Sequence, residues 1–228
     1  MFSEPRTISL LSECVHLPTK HSIEGLREVY NRVCRTCGYE NFIKTASGVR
    51  LERHESQGSG FSHLSFASDR IQFTEDHVGI SIEQFAKKVR SVLEEAMPLL
   101  KIPIILVHQV TVRVICTPNS FKHAAEFLAR SIFRFRAEDL ELLGRPTSVH
   151  GFRLVFPATR EVSHAFNVRV ESYVKDQRSI YVENVGTFKT ATPTQTLDSV
   201  EQNIEATSEF IANHVVPFLS RYDRRDAE

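Results

Sequence analysis

The apolar residues of this 228-residue chain change their spacing along its length, and the order of the changes occurs twice. A period near 3.6 marks a helix with one buried stripe, and a period of two marks a strand with one buried face. Helical spacing is present in Ile23, Leu26, Val29, Tyr30, Val33, Cys34 and Cys37, closed by Gly38. It returns in Ile82, Phe85, Val89, Val92, Leu93 and Ala96, opened by Ser81 with Gln84 three residues on, a capping box. A third stripe, Phe121, Ala124, Ala125, Leu128, Ile132 and Phe135, opens at Asn119. The longest is Val200, Ile204, Thr207, Ile211, Val215 and Phe218.

Between the helices the period is two. Val110, Val112, Val114 and Cys116 alternate with Thr111, Arg113 and Ile115, and Phe152, Leu154 and Phe156 alternate with Arg153 and Val155. Phe166, Val168 and Val170 alternate with Asn167, Arg169 and Glu171, and Ile180 and Val182 with Tyr181 and Glu183. In the first half the same holds near 41–55, 61–67 and 70–76. Alternation of this kind belongs to antiparallel strands with one dry face, because strands covered on both faces read as unbroken apolar runs. Short turns at Ala46-Ser47-Gly48, Ser68-Asp69 and Lys175-Asp176-Gln177 join neighbours as hairpins. The spacing therefore predicts an α+β fold: a pseudo-duplicated β-α-β-β-β-α repeat, with a curved antiparallel sheet and helices packed on one face. Residues 1–100 form the first repeat, 101–221 the second and 222–228 a solvated charged tail, the halves making one structural unit.

Charge and cysteine content narrow the function. Lys plus Arg and Asp plus Glu both number 28, which argues against nucleic acid or an anionic membrane as the partner. There is no apolar run long enough to span a bilayer and no signal-like N-terminus. Four irregularly spaced cysteines do not make a disulfide framework, so the expected compartment is the cytoplasm.

The chemistry-bearing residues are few. Cys14, His16, His21, Cys34 and Cys37 could supply zinc ligands, but no second C-x-x-C or H-x3–5-H completes the set, and burial of the cysteines as small hydrophobes is the competing reading. The glycines within 54–66 lack the lysine and following helix of a phosphate-binding loop. Arg130, Arg134 and Arg136 suit a solvated helix end. A Ser/His/Asp arrangement built from distant residues leaves no local signature, and no nucleophile elbow is present. No cofactor or catalytic residue is therefore expected. What remains is the polar face of the sheet, where Arg113, Arg153, Arg169, Glu171, Tyr181 and Glu183 are the candidate binding residues. Its alternative reading is a solvated surface with cross-strand ion pairs.

The succession of "SIEQFAKKVRSVLEEAMPLL", "HQVTVRVIC", "GFRLVFP", "FNVRVESYV", "SIYVENVGTF" and "FIANHVVPFLS" resembles a sporadically distributed bacterial family of proteins of about this length. That resemblance implies no activity and no catalytic motif. At fold level the repeated string is similar to the saddle of TATA-binding proteins and to helix-grip folds, although the mixed Arg and Glu face lacks the apolar wedges of a DNA-bending saddle. The expectation is a non-enzymatic protein-interaction or accessory module of a bacterial operon, with a protein partner and a homodimer among the assemblies to test. The competing classes are a small-ligand sensor or enzyme with a cleft between helices and sheet, and a nucleic-acid-binding saddle.

Overall fold

The computed structural model describes residues 2–54, 60–77, 79–189 and 196–223. Nine strands form one sheet: β1 (Arg6–His16), β2 (Asn41–Thr45), β3 (Gly48–His54), β4 (Phe61–Ala67), β5 (Arg70–Asp76), β6 (Ile105–Cys116), β7 (Gly151–Phe156), β8 (Ala165–Ser172) and β9 (Ile180–Lys189). Their order is β2-β3-β4-β5-β1-β6-β9-β8-β7, and every pairing is antiparallel. The long strands β1 and β6 lie side by side at the centre, so both halves of the chain build one sheet. The sheet was expected to be curved; it is open rather than strongly curved, with β2 and β7 as its edges among the described residues.

The helices are α1 (Ile23–Cys37), α2 (Ile82–Leu99), α3 (Ala124–Phe127), α4 (Ala137–Glu141), α5 (Thr196–Phe210) and α6 (Val216–Ser220). Their ends follow local chemistry. Ser22 caps α1 by accepting from the Gly25 N–H, and Gly38 closes it at φ 71°, a left-handed conformation that costs a side chain energy. Ser81 and Gln84 close the reciprocal capping box at the start of α2.

One face of the sheet carries the core. Leu10, Cys14, Val49, Leu51, Leu64, Phe66, Ile71, Phe73, Val110, Val112, Val168, Val170 and Val182 meet Leu26, Val29 and Val33 of α1, Phe85, Val89 and Leu93 of α2, and Val200 and Ile204 of α5. Phe66, Phe73, Phe85 and Phe127 are fully buried, and each contributes about 1.5–3 kcal/mol of transfer free energy. Gly186 on β9 lets α5 approach closely, since a Cβ there would lie 2.5 Å from Thr207 Oγ1.

Three expectations are corrected. The third helix does not open at Asn119: the backbone N–H groups of Asn119 and Ser120 donate to the Asp223 carboxylate at 3.0 Å each, holding the chain outside a helix until Ala124. The same bonds bury Asp223, so the start of the 222–228 tail is anchored, while 224–228 lie outside the described residues. Thirdly, two helical runs pass through π geometry, at Leu128–Ile132 after α3 and at Ile211–Val215 between α5 and α6. A π turn takes up one extra residue, so the buried set of the last run is Val200, Ile204, Thr207, Ile211, Val215 and Leu219. Phe218, placed in the stripe by an α-helical period, is 39% exposed.

Candidate functional site

The face of the sheet away from the helices is built by the alternate residues of each strand, and the register aligns them into rows. One row runs Ser9, Arg113, Glu183, Arg169, Arg153 across β1, β6, β9, β8 and β7. The next runs Ile115, Tyr181, Glu171, Gly151. All six residues singled out in the sequence therefore lie on two adjacent rows. Alternation predicted the face; only the strand order β6-β9-β8-β7 brings them together.

Glu183 is the hub. Its Oε2 accepts from Arg113 Nε at 2.7 Å and from the Tyr181 hydroxyl at 2.9 Å, and its Oε1 lies 3.6 Å from Arg169 Nε. Burial pushes the Glu183 carboxyl up, but Arg113, Tyr181 and Arg169 outweigh it and hold the group below the usual carboxylate range. The Arg169 guanidinium also lies over the Tyr181 ring at 5.1 Å, and Glu171 is 3.9 Å from Arg169 Nε. Arg113 Nη1 reaches Ser9 Oγ at 3.4 Å. Arg153 stands apart from the hub, its Nε donating to Asn167 Oδ1 at 2.5 Å.

A small apolar cluster borders the network. Ile8, Ile115 and Tyr181 pack together with Tyr173 against them, and the two tyrosine rings stack at 6.0 Å and 13°. Ile8 sits at the register shift between Thr7 and Ser9, where an extra residue in β1 changes the pairing with β6. The result is a pre-oriented polar and aromatic patch in which Glu171 and Glu183 are met by Arg113 and Arg169, with Arg153 outside the ion pairs. Such a surface can offer charged hydrogen bonds and aromatic contact to a molecule that meets it.

The helix side of the sheet holds two polar constellations that the sequence analysis did not single out. In the first, Ser12 Oγ lies 2.8 Å from His108 Nε2, and Asn203 Nδ2 lies 3.1 Å from His108 Nδ1. An amide nitrogen only donates, so Nδ1 accepts and Nε2 carries the proton toward Ser12. That polarity is opposite to what a base needs to activate a serine, and Ser12 and His108 are both buried. Burial lowers the His108 pKa to about 3, so the ring is neutral.

In the second, Lys88 Nζ lies 2.6 Å from Glu75 Oε1 and 3.0 Å from Ser62 Oγ, Ser62 donates to Glu75 at 2.8 Å, and the ammonium sits 4.4 Å from the Tyr39 ring centroid. The lysine and glutamate side chains are 11% and 2% exposed. The signal in the sequence was a polar residue at an inward position: Ser12 between Leu10 and Cys14, Glu75 after Ile71 and Phe73.

The residues weighed as metal ligands do not converge. Cys34 and Cys37 are at the C-terminal end of α1 and His21 precedes its start, roughly 20 Å away at 1.5 Å rise per residue. His16 and His21 do meet, with ring centroids 5.6 Å apart, and His16 Nδ1 lies 2.8 Å from the Leu17 carbonyl oxygen. Among the described residues no group of three or more His, Cys, Asp or Glu side chains is placed to hold a metal ion. Burial pushes the Cys14 thiol up to about 12 and raises that of Cys37, so neither is an activated nucleophile. Of the glycine-containing loop considered for phosphate, residues 55–59 lie outside the described residues.

No helix among the described residues is long and apolar enough to cross a membrane. A scan of family models finds none that matches the chain, and a search of curated proteins finds no significant relative.

Proposed function

We propose that this chain is a non-enzymatic protein-interaction module, an accessory or regulatory component that docks a protein partner on the uncovered face of its sheet. The observation that carries this reading is the two-row patch of Arg113, Glu183, Arg169, Arg153, Tyr181 and Glu171, ordered by ion pairs, the Arg153–Asn167 bond and stacked tyrosines on a face that no helix among the described residues covers. Rigid aromatic and arginine side chains are the residue types that anchor protein interfaces. The hydrogen-bond polarity through Ser12, His108 and Asn203 and the burial of Ser12 and His108 favour a structural role over hydrolysis. The resemblance to a bacterial family without assigned activity agrees with an accessory role.

The finer description of the fold belongs to the same proposal. Strands β5, β4 and β3 follow β1 outward in the order in which β9, β8 and β7 follow β6, which supports an internal duplication with β2 as an addition to the first half.

The test is affinity purification of the tagged chain from its native host, alongside Arg169→Glu and Arg113→Ala. A stoichiometric protein that co-purifies with the wild type and is lost from both variants is the expected outcome. Retention of that protein by both variants would place the contact elsewhere. Salt-sensitive binding of DNA or RNA, with no protein partner, would replace the reading by a nucleic-acid one.

A further inference from the structure

Among the described residues β7 is the outermost strand on its side of the sheet and pairs with β8 alone. An edge strand turns alternate backbone N–H and C=O groups outward, and soluble proteins blunt such edges with lysine, proline, a bulge or a covering segment. The sequence of β7, GFRLVF, has no lysine or proline, and its register with β8 runs unbroken from Gly151 to Phe156. Its single charge, Arg153, is drawn back onto β8 by Asn167. Leu154, Val155 and Phe156 are 37%, 63% and 40% exposed. Below the edge, Leu154 and Phe156 line an apolar groove of about 410 Å³ with Phe210, His214, Val215 and Phe218. The opposite edge is different: β2 is NFIKT, with Asn41, Lys44 and Thr45 exposed. Four strands flank β1 on that side, whereas only three flank β6 on this one.

We infer that β7 is covered by a second copy of this chain, β7 pairing antiparallel with β7 of the partner subunit about a two-fold axis at Leu154. The argument is self-complementarity. Read in either direction from Leu154, the strand presents Phe at two residues and a residue of the other face at one, so the pattern F-R-L-V-F matches its own reversal. Facing residues in this register are Leu154 with Leu154 of the partner subunit and Phe152 with Phe156 of the partner subunit. Arg153 then faces Val155 of the partner subunit, not another arginine. A register centred on Arg153 opposes two like charges, and one centred on Val155 carries Phe152 past the end of the partner strand. The contact is isologous and closes, whereas pairing β7 with a β2 edge would propagate without limit. The two-fold axis is normal to the sheet, so both helical layers share one side. The two apolar grooves adjoin at the seam, and the open faces become continuous. This inference concerns the edge and does not rest on the function proposed for the face.

Light scattering on the eluted protein should give twice the chain mass of 26.0 kDa. Leu154→Lys should halve it while leaving the far-UV circular dichroism spectrum unchanged. The register is read by oxidation in a Cys34→Ala background, which leaves only buried native thiols. Leu154→Cys should crosslink, because facing residues of an antiparallel pair have Cα atoms about 4.5–5.5 Å apart, within disulfide reach. Arg153→Cys should not, its symmetry mate being a diagonal neighbour at about 7–8 Å. A wild-type monomer at the highest concentration attainable would overturn the inference. So would open-ended growth with concentration, or equal crosslinking of the two cysteine variants. The crosslinking readout stands even where Leu154→Lys fails to fold.

Discussion

His108→Gln isolates what a neutral buried imidazole does to stability. The ring lies between Ser12 and Asn203, and burial takes its pKa from 6.5 to about 3 in the folded chain. Between these values the unfolded chain binds the proton and the folded one does not, so stability falls as pH drops below 6.5 and the loss is complete only near 3. At pH 5 the unfolded state has gained 1.5 pH units of protonation free energy, roughly 2 kcal/mol at 1.36 kcal/mol per unit; at pH 7 it has gained almost none. Glutamine keeps a donor and an acceptor but does not titrate. Urea denaturation of wild type and variant at pH 7 and pH 5 cancels the other titrating groups, including His21 and His63, whose values are also lowered by burial. The wild type should lose roughly 2 kcal/mol more than His108→Gln between the two pH values. In NMR spectra the His108 ring should keep neutral-imidazole shifts down to pH 5. Parallel losses in the two proteins, or a ring that titrates near 6.5, would refute the reasoning and mean that water reaches this site.

Removing the ammonium by Lys88→Met leaves Glu75 buried with the Ser62 hydroxyl but no ionic partner and should cost about 3–5 kcal/mol in urea titrations. The double variant with Glu75→Leu should recover most of that loss. Gly186→Ala should destabilise by about 1–3 kcal/mol, since Thr207 is fixed by its 2.7 Å bond to the Asn203 carbonyl and cannot yield easily to the added methyl. Chelator should leave the melting temperature unchanged and elemental analysis should find no stoichiometric zinc, because a structural zinc would contribute its binding free energy to folding.

Much of this architecture is written locally. The alternation in 105–116, 151–156, 165–172 and 180–189 reflects one dry face per strand, and the first and second helical stripes carry their own caps. The candidate patch was legible as a list of outward positions but not as a cluster, because neighbours such as Arg113 and Glu183 are 70 residues apart in the chain. Ser12 and His108 are 96 apart, and nothing near either residue encodes the meeting. The third helix misled for a different reason: its start is decided by Asp223, more than a hundred residues away. The exposure of Leu154 and Phe156 was also hidden, since period two marks a face and says nothing of whether another strand or helix covers it.

The π segment at Ile211–Val215 should let the last helical run lose one residue without exchanging its faces. In a regular α-helix, loss of one residue rotates everything beyond it by about 100° and exchanges buried for exposed positions. Here one surplus residue is already stored in the wide turn. Deleting Asn213 should let that turn relax to α geometry while Leu219 stays inside and Phe218 stays out, so the shortened chain should fold. Inserting a residue at the same point has no such reserve and should turn Leu219 toward solvent. A helix is ordinarily the part of a protein least forgiving of a deletion, and this one carries its own spare.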